Sequence, residues 1–334
     1  MEAEKRSLKD IRRSTRRLAK AERKAERRPG LGSSVPLSVN LRKNFALYTM
    51  VLPGFVILLL FNYLPMYGII MAFQDFRPML GFTGSPWAGL RHFERIIGDP
   101  LFHRAFMNSV RLGILSLLIS FPAPLVFALL LNEIRHAKFK RVVQTISYMP
   151  FFLSTVIIIG LLRDMLSYSG GAINIILESI GLSRIDFFMR ADLFRGIFIG
   201  TGLWQSIGFG SILYLAAIAG VNPELYESAR IDGANRLRMA FNITIPGIMP
   251  TFVILFILNI GTLLNNDWNT ILLMYNPAIF STADVVGTYV FRSGIEGTTQ
   301  SYAAAVGLSM SIISVVMLTI ANYVARWVGE TSLW

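Results

Sequence analysis

Six apolar stretches in this sequence are each about as long as a helix that crosses a lipid bilayer. They cover residues 47–73, 106–131, 142–162, 194–219, 248–264 and 302–325. A helix needs about 20 predominantly apolar residues to cross the hydrocarbon core. Charged residues make up 16% of the chain, whereas soluble domains contain roughly 25%. The sequence therefore predicts an all-α, polytopic membrane protein with six transmembrane helices.

The distribution of lysine and arginine predicts how these helices are oriented. Residues 1–46 contain fourteen Lys and Arg against five Asp and Glu, which accounts for most of the net charge of +12. Loops 132–141 and 221–245 are also rich in Lys and Arg. Short loops with an excess of these residues stay in the cytoplasm. With six spans, the N-terminus, these two loops and the C-terminus all lie on the cytoplasmic side, an N-in, C-in topology.

The same patterns divide the chain into two predicted parts. Residues 1–46 form a basic cytoplasmic tail and linker, and residues 47–334 form the transmembrane domain. The tail has a weak helical stripe of apolar residues, and basic amphipathic segments of this kind lie on anionic lipid surfaces. Basic runs also bind nucleic acid, but a tail attached to six membrane spans favours membrane lipid as its partner and no nucleic acid.

Residue types needed for common enzymatic chemistry are scarce in this chain. It contains no cysteine, and its three histidines lie in different predicted loops without metal-ligand spacing. No Gly-x-x-x-x-Gly-Lys-Ser/Thr phosphate loop is present either. We therefore expect no catalytic residue, no metal site and no ATP-hydrolysing site in this chain, and we rank a membrane-embedded enzyme last.

Loop 221–246 contains strong local signals for two short helices. Asn222 is a good N-cap, and Pro223 suits the first helical position that follows it. Gly233 can adopt the left-handed conformation that ends many helices. A second short helix is expected from about Asn235 to Pro246. The loop is thus predicted to be a helix–turn–helix between two membrane spans.

The same loop resembles the EAA motif of permease subunits from binding-protein-dependent ABC importers. The family form is Glu-Ala-Ala, three residues, Gly, about nine residues, then Ile/Leu-Pro. The residues that match this form or flank it are Glu227, Ser228, Ala229, Asp232, Gly233, Ala234 and Pro246. Ser228 departs from the family alanine but is also small. Shorter runs are similar to the complex-polysaccharide branch of this family, at 64–68, 84–87, 121–124, 131–135, 214–217, 275–277 and 283–286.

The resemblance implies a fold, partners and a location in the bacterial inner membrane. The fold would be that of a type I ABC importer permease, and residues 221–246 would be the coupling loop that docks on a cytoplasmic ATPase. Glu227 would supply a charged contact and Gly233 the turn. The partners would be a second permease subunit, two copies of the ATPase that binds ATP and Mg²⁺, and an extracytoplasmic solute-binding protein. The cargo would be oligosaccharides, including acidic ones that contain uronates.

Polar residues inside the spans are candidates for the substrate pathway, because polar groups at membrane depth usually face the interior of the helix bundle. The spacing of Asn259, Thr262 and Asn266 predicts that they share one helical face. Hydrogen bonds between helices are the alternative role for each candidate. Arg111, near the outer end of the second span, is expected to snorkel to the interface, with anion binding as the alternative. The candidates are Trp204, Gln205, Asn259, Thr262, Asn265 and Asn266.

Two other functions remain as alternatives to a sugar permease. One is an ABC permease for a different cargo, such as peptides, amino acids or metals. The other is a self-sufficient secondary transporter, which would predict an internal repeat and ionisable residues central in the spans. No clear repeat and almost no acidic residue at mid-membrane are found in the sequence. A heterodimer with an unlike permease subunit is favoured over a homodimer, since the branch usually pairs unlike subunits.

Overall fold

The computed structural model describes residues 44–327 and 332–333 of the chain. Nearly all of the predicted basic tail, 1–46, lies outside the described residues, and the tail stays a prediction. Two compact units are distinguished, Met1–Tyr67 and Gly68–Trp334. Each is described by itself below.

The described part of the first unit is helical throughout. Helix α1 covers Phe45–Leu58, a π-helical turn follows at Leu59–Tyr63, and a 3₁₀ segment covers Leu64–Phe73, which extends into the second unit. Pro53 lies inside α1. Proline removes a backbone donor, and short π and 3₁₀ segments are common where a helical ladder is interrupted.

The second unit is built from α-helices joined by short 3₁₀ and π segments. Within the described residues the one extended pairing is an isolated bridge between Gln74 and Trp87, so the all-α prediction is confirmed. The helices are α2 Gly81–Gly84, α3 Arg91–Gly98, α4 Pro100–Ile119, α5 Ala123–Asn132, α6 Ala137–Tyr148, α7 Thr155–Leu166, α8 Ala172–Ser179, α9 Phe194–Ala219, α10 Pro223–Ile231, α11 Arg236–Met239, α12 Ile245–Gly261, α13 Trp268–Met274, α14 Phe280–Ala283, α15 Val286–Phe291 and α16 Gln300–Trp327. The 3₁₀ segments are Met149–Phe152, Leu263–Asn265 and Pro277–Ile279, and the π segments are Ala240–Thr244 and Arg292–Glu296.

Five helical stretches among the described residues are long and apolar enough to cross a membrane. They are Phe45–Phe73, Pro100–Asn132, Phe194–Ala219, Arg236–Gly261 and Gln300–Trp327. A sixth is a bent pair, Ala137–Phe152 with Thr155–Leu166. The predicted number of six spans is confirmed when this pair is counted as one.

The third span is not the straight helix that its apolar run, 142–162, predicts. Its two halves meet at an angle of 99°. Leu153 and Ser154 have extended backbone conformations at the bend, with ψ of 138° at each. Pro150 lies three residues before Leu153, and proline interrupts the helical hydrogen-bond ladder. A break at this depth is tolerated where neighbouring groups satisfy the freed backbone atoms.

Three clusters of buried apolar side chains hold the second unit together. The first joins α4, α7, α9 and α13, around Leu112, Ile159, Phe194, Phe198 and Ile271. The second joins α3, α4, α15 and α16. The third joins α5, α9 and α12. Burial is sparse along the candidate spans, at most 22% of any apolar window. Their remaining apolar surface suits contact with lipid or with other subunits.

Candidate functional site

The predicted coupling loop, 221–246, begins with a fully capped helix. The side chain of Asn222 accepts a hydrogen bond from the backbone N–H of Glu224 at 3.0 Å, and Pro223 occupies the first helical position. The hydroxyl of Ser228 donates to the carbonyl of Glu224, one turn earlier. The predicted start of this helix is confirmed. Glu224 lies in its first turn, where a negative charge is favourable.

The helix ends in a Schellman motif built from residues of the EAA-like pattern. Gly233 has φ of +75°, the left-handed conformation predicted for it. Its N–H donates to the carbonyl of Arg230 at 3.1 Å, and the N–H of Ala234 donates to the carbonyl of Ala229 at 2.9 Å. These two bonds satisfy carbonyls that a helix end would otherwise leave unpaired. The small residues therefore lie where the chain reverses.

The second helix of the loop does not stop at Pro246, which corrects the predicted boundary. Asn235 caps α11, and its side chain accepts from the N–H of Arg238 at 2.8 Å. The π-helical turn Ala240–Thr244 follows, and then Pro246 lies in the first turn of α12. Because the π turn shifts the hydrogen-bond register by one residue, the chain passes the proline without a break. The short helix is thus continuous with the fifth span.

Two side-chain contacts that the sequence did not predict fix the loop in place. The hydroxyl groups of Tyr226 and Thr244 are 2.9 Å apart, which ties α10 to the π turn. Arg236 forms an ion pair with Glu133, 3.3 Å away, at the end of α5. No short sequence pattern predicts a contact between residues this far apart in the chain. Loops 132–141 and 221–246, both predicted to be cytoplasmic, are therefore in contact.

The exposed surface of the loop is partly apolar. Three large apolar side chains are exposed there: Ile231 by 87%, Leu237 by 70% and Phe241 by 65%. Glu227, four residues before Ile231, is also exposed. A cavity of about 880 Å³ opens between this loop and residues 132–144, and Glu227, Arg230 and Ala234 are among its lining residues. Large apolar side chains that are exposed in a loop outside the membrane spans commonly mark an interaction surface.

Four of the predicted pathway residues line a polar cavity of about 500 Å³. They are Asn259, Thr262, Asn265 and Asn266. Their shared position does not come from one helical face as predicted, because α12 ends at Gly261 and a 3₁₀ turn follows. Ser116, Ser120 and Ser206 also line it, together with Asp267, Asn269 and several apolar residues. Ser116 and Ser206 lie near the middle of their candidate spans, so the cavity lies at membrane depth.

The other two pathway candidates, Trp204 and Gln205, do not line this cavity. The amide of Gln205 donates to the carbonyl of Leu153 at 3.4 Å, beside the bend of the third span. This contact matches the alternative role, a hydrogen bond between helices. The side chain of Trp204 is half exposed on α9.

Comparison with known proteins identifies the family. A family model described as "Binding-protein-dependent transport system inner membrane component" matches residues 96–330, which include the predicted coupling loop and the polar cavity. The chain belongs to this family. It is an inner-membrane permease subunit of a binding-protein-dependent ABC transporter, and not a member of a catalytic family.

Two curated relatives of this permease come from Bacillus subtilis (strain 168). The polygalacturonan/rhamnogalacturonan transport system permease protein YteP is 40% identical over 298 residues, which cover 89% of this chain and 93% of YteP. Protein LplB is 39% identical over 303 residues, covering 91% of this chain and 95% of LplB. Nearly the whole permease is thus shared with them.

Solved structures give the same fold. One chain of a bacterial ABC transporter involved in the import of the acidic polysaccharide alginate matches with a TM-score of 0.82 and 38% identity, over 89% of this permease and all of that chain. A second match has the same score and identity and comes from the alginate transporter in complex with an alginate pentasaccharide-bound periplasmic protein. The permease has the type I ABC importer fold that the sequence predicts.

Proposed function

We propose that this permease moves oligosaccharides, including acidic ones that contain uronates, from a solute-binding protein into the cytoplasm. The observation that carries the proposal is the polar cavity at membrane depth. Amides of Asn259, Asn265 and Asn266 and nearby hydroxyls line it, and such groups suit the many hydroxyls of a sugar. The named relatives supply the acidic character, because one transports polygalacturonan and another imports alginate.

The coupling loop is proposed to dock on a cytoplasmic ATPase through its apolar tip and Glu227. Ile231, Leu237 and Phe241 offer exposed apolar surface there. The Schellman turn around Gly233 and the π turn before Pro246 join this surface to the fifth span without a flexible linker. Movement of the docked ATPase would therefore be transmitted to α12, whose far end borders the polar cavity.

The complete transporter is proposed to contain a second permease subunit, two copies of the ATPase and an extracytoplasmic solute-binding protein. The partner ATPase would bind ATP and Mg²⁺, so this chain would need no cofactor of its own. The periplasmic protein in the related alginate complex supports the solute-binding partner. A heterodimer of permeases is proposed ahead of a homodimer.

Uptake into liposomes tests the cargo. The permease is purified with its partner permease and ATPase, reconstituted, and supplied with the solute-binding protein and either trigalacturonate or maltotriose. ATP-dependent uptake of trigalacturonate at least tenfold faster than that of maltotriose is expected. Equal rates, or a preference for the neutral sugar, would contradict the acidic cargo.

A substitution at the apolar tip tests the docking role. Ile231→Asp places a charge on an exposed position of the loop and is expected to release most of the ATPase during purification, because a buried unpaired charge costs several kcal/mol at an interface. Ile180→Asp is the matched control, since Ile180 is also exposed but lies in a loop predicted to face outward. Retention of the ATPase by Ile231→Asp would contradict the proposed contact.

A further inference from the structure

Three polar residues of α4 lie on one face of that helix. Arg104, Asn108 and Arg111 are spaced by four and then three residues, which places them in successive turns on the same side. Helix α4 begins at Pro100, at the end predicted to face outward. With a rise of 1.5 Å per residue, the two arginines are separated by about 10 Å along the helix axis. Positive charge therefore extends from the outer end into the span.

A fourth residue, Arg195 of α9, joins this face. Its Nη2 donates to Oδ1 of Asn108 at 3.3 Å, while its Nε is buried and has no hydrogen-bond partner among the described residues. Arg111 lies about one turn beyond Asn108 on α4, and Asn108 is the residue that Arg195 contacts. We call Arg104, Arg111 and Arg195, with Asn108 between them, the arginine cluster.

A buried carboxylate near the cluster, Asp284, pairs with Arg104 but with neither Arg111 nor Arg195. Asp284 is fully buried, and Arg292 binds both of its oxygens at 2.8 and 3.1 Å. The hydroxyl of Thr288 donates to the same carboxylate at 3.0 Å, and Arg104 lies 3.7 Å from it. Within residues 44–327, Arg111 and Arg195 form no ion pair. Two positive charges near each other are left without a counter-ion.

The cluster lies next to the polar cavity. Asn266, which lines the cavity, donates to the carbonyl of Ser109, the neighbour of Asn108, at 2.9 Å. Gly113 and Phe198 also line the cavity, two residues after Arg111 and three after Arg195 respectively.

The lining of the cavity also includes one carboxylate. This group, Asp267, accepts a hydrogen bond from the hydroxyl of Thr270. Arg111 and Arg195 outnumber it, so the cavity and its outer approach together carry net positive charge. An anion that enters from outside would meet the arginines within one helical turn of the cavity.

Arg111 and Arg195 lie near the outer ends of two spans, beside the polar cavity, and have no anionic partner among the described residues. The Nε of Arg195 is buried without a partner, and a polar group removed from water is costly unless it is paired. The guanidinium group binds a carboxylate with two parallel hydrogen bonds, which a neutral hydroxyl cannot reproduce. We propose that Arg111 and Arg195 bind the carboxylate of an acidic sugar unit on its way into the polar cavity, and that Asn108 positions Arg195. This inference rests on the proposed acidic cargo and names the residues that select for it.

The test compares transport with ATP hydrolysis in the reconstituted complete transporter, in phosphatidylcholine liposomes that contain no anionic lipid. Arg111→Gln and Arg195→Gln are each expected to lower trigalacturonate uptake about tenfold, the effect of one lost charge-assisted hydrogen bond. ATPase stimulation by the loaded solute-binding protein is expected to stay within twofold of wild type, because docking does not involve these residues. Arg111→Lys and Arg195→Lys, which keep the charge, are expected to recover part of the uptake.

Arg163→Gln is the matched control. Arg163 is also an exposed arginine, and it donates to the carbonyl of Leu273 at 2.6 Å; its replacement is expected to leave uptake within twofold of wild type. Unchanged uptake in both cluster variants, or an equal fall of uptake and ATP hydrolysis, would overturn the carboxylate site. If Arg195→Gln fails to assemble, Arg111→Gln still tests the site, because the side chain of Arg111 makes no hydrogen bond to the residues that the structure describes. If the wild-type transporter does not take up trigalacturonate, the proposed acidic cargo is wrong, and the proposed carboxylate site is wrong with it.

Discussion

At the scale of single residues, the EAA-like pattern has a direct structural explanation. Ala229 and Ala234 are the two ends of the longer Schellman hydrogen bond, and Gly233 supplies the left-handed residue between them. Such a turn favours glycine at its left-handed position, because glycine has no Cβ to clash there. Small neighbours let the chain reverse closely, so part of the motif encodes the shape of the loop. Glu227 is free for contact with a partner because it is exposed and lies outside the turn.

Replacement of Gly233 by alanine should weaken coupling through backbone strain. A Cβ at this position would meet no atom within 4 Å, so the cost is conformational, about 1–2 kcal/mol for a left-handed residue. We expect Gly233→Ala to lower several-fold both uptake and the stimulation of ATP hydrolysis by the loaded solute-binding protein. Gly233→Asn should retain more of both, because asparagine tolerates this conformation. Gly196→Ala is the control, since Gly196 has an ordinary φ and equally open surroundings. Equal uptake in both alanine variants would exclude strain as the cause.

Asp99 should make the stability of the permease sensitive to acid. Burial opposes its charged form, but hydrogen bonds from Tyr289 at 2.5 Å and Tyr302 at 2.8 Å, with two backbone N–H groups, outweigh this and lower the pKa of Asp99. A lowered pKa contributes stability above the unfolded value of about 3.9, which is lost as the pH falls through the folded value. Asp99→Asn should therefore lower the free energy of unfolding at pH 7 by about 1 kcal/mol, because the amide still caps the helix but loses the charge-assisted hydrogen bonds from the two tyrosines.

The thermal transition of Asp99→Asn is best measured between pH 7 and pH 3, beside wild type. The gap between the two proteins should narrow as the pH falls below the unfolded value of about 3.9, because protonation then removes the charge that the native hydrogen bonds stabilise. Glu94→Gln, an exposed change in the neighbouring helix, should leave the wild-type curve unaltered. A gap that stays constant over this range would show that the charge of Asp99 contributes nothing.

At the scale of elements, glycines of α9 separate into two kinds. A Cβ at Gly200 or Gly202 would meet nothing within 4 Å, whereas a Cβ at Gly210 would lie 3.1 Å from Pro124. A Cβ at Gly208 would overlap the backbone carbonyl of Ser147 in α6. Close approach of helix backbones at small residues is a common way for membrane helices to pack. The second half of α9 thus packs closely against α5 and α6, whereas Gly200 and Gly202 in its first half make no such close contact.

Gly208→Ala should consequently destabilise the permease, and Gly200→Ala should not. The backbone of Ser147 cannot move aside as a flexible side chain can, and overpacking of this kind costs about 1–3 kcal/mol. The measurement is the midpoint of thermal unfolding of the purified transporter in detergent, with both variants prepared in parallel. Equal midpoints would mean that α6 shifts without cost.

Other features at this scale depend on contacts that no local pattern encodes. The caps of α10 and the turn at Gly233 follow short-range rules and were predictable from the sequence. The bend at Leu153 was not, because its carbonyl is satisfied by Gln205, 52 residues away. The passage through Pro246 was missed because a π turn has no reliable sequence signal. The arginine cluster likewise depends on Asn108 meeting Arg195 from another helix, although Arg111 alone drew attention as an anion-binding candidate.

At the scale of the whole molecule, apolar length and Lys/Arg counts predicted the number of spans and a topology. The number of spans can be predicted from apolar segments alone, because any apolar helix of sufficient length can cross the bilayer, even one that bends. The cavity could not be predicted in this way, because its lining combines α4, α9 and the turn after α12. Four of its lining residues are among the pathway candidates that the sequence suggested, since polar side chains inside spans are costly and few.

The N-in, C-in topology can be measured directly, because the chain contains no cysteine. Arg135→Cys and Arg230→Cys replace exposed residues at the cavity beside the coupling loop. Both should react with a membrane-impermeant maleimide in inverted vesicles and stay unlabelled in intact cells. Met79→Cys, at a position that is 99% exposed in a loop predicted to face outward, should show the opposite result. Labelling of Arg230→Cys from outside would place the coupling loop out of reach of any cytoplasmic ATPase, and the proposed coupling would fail with the topology.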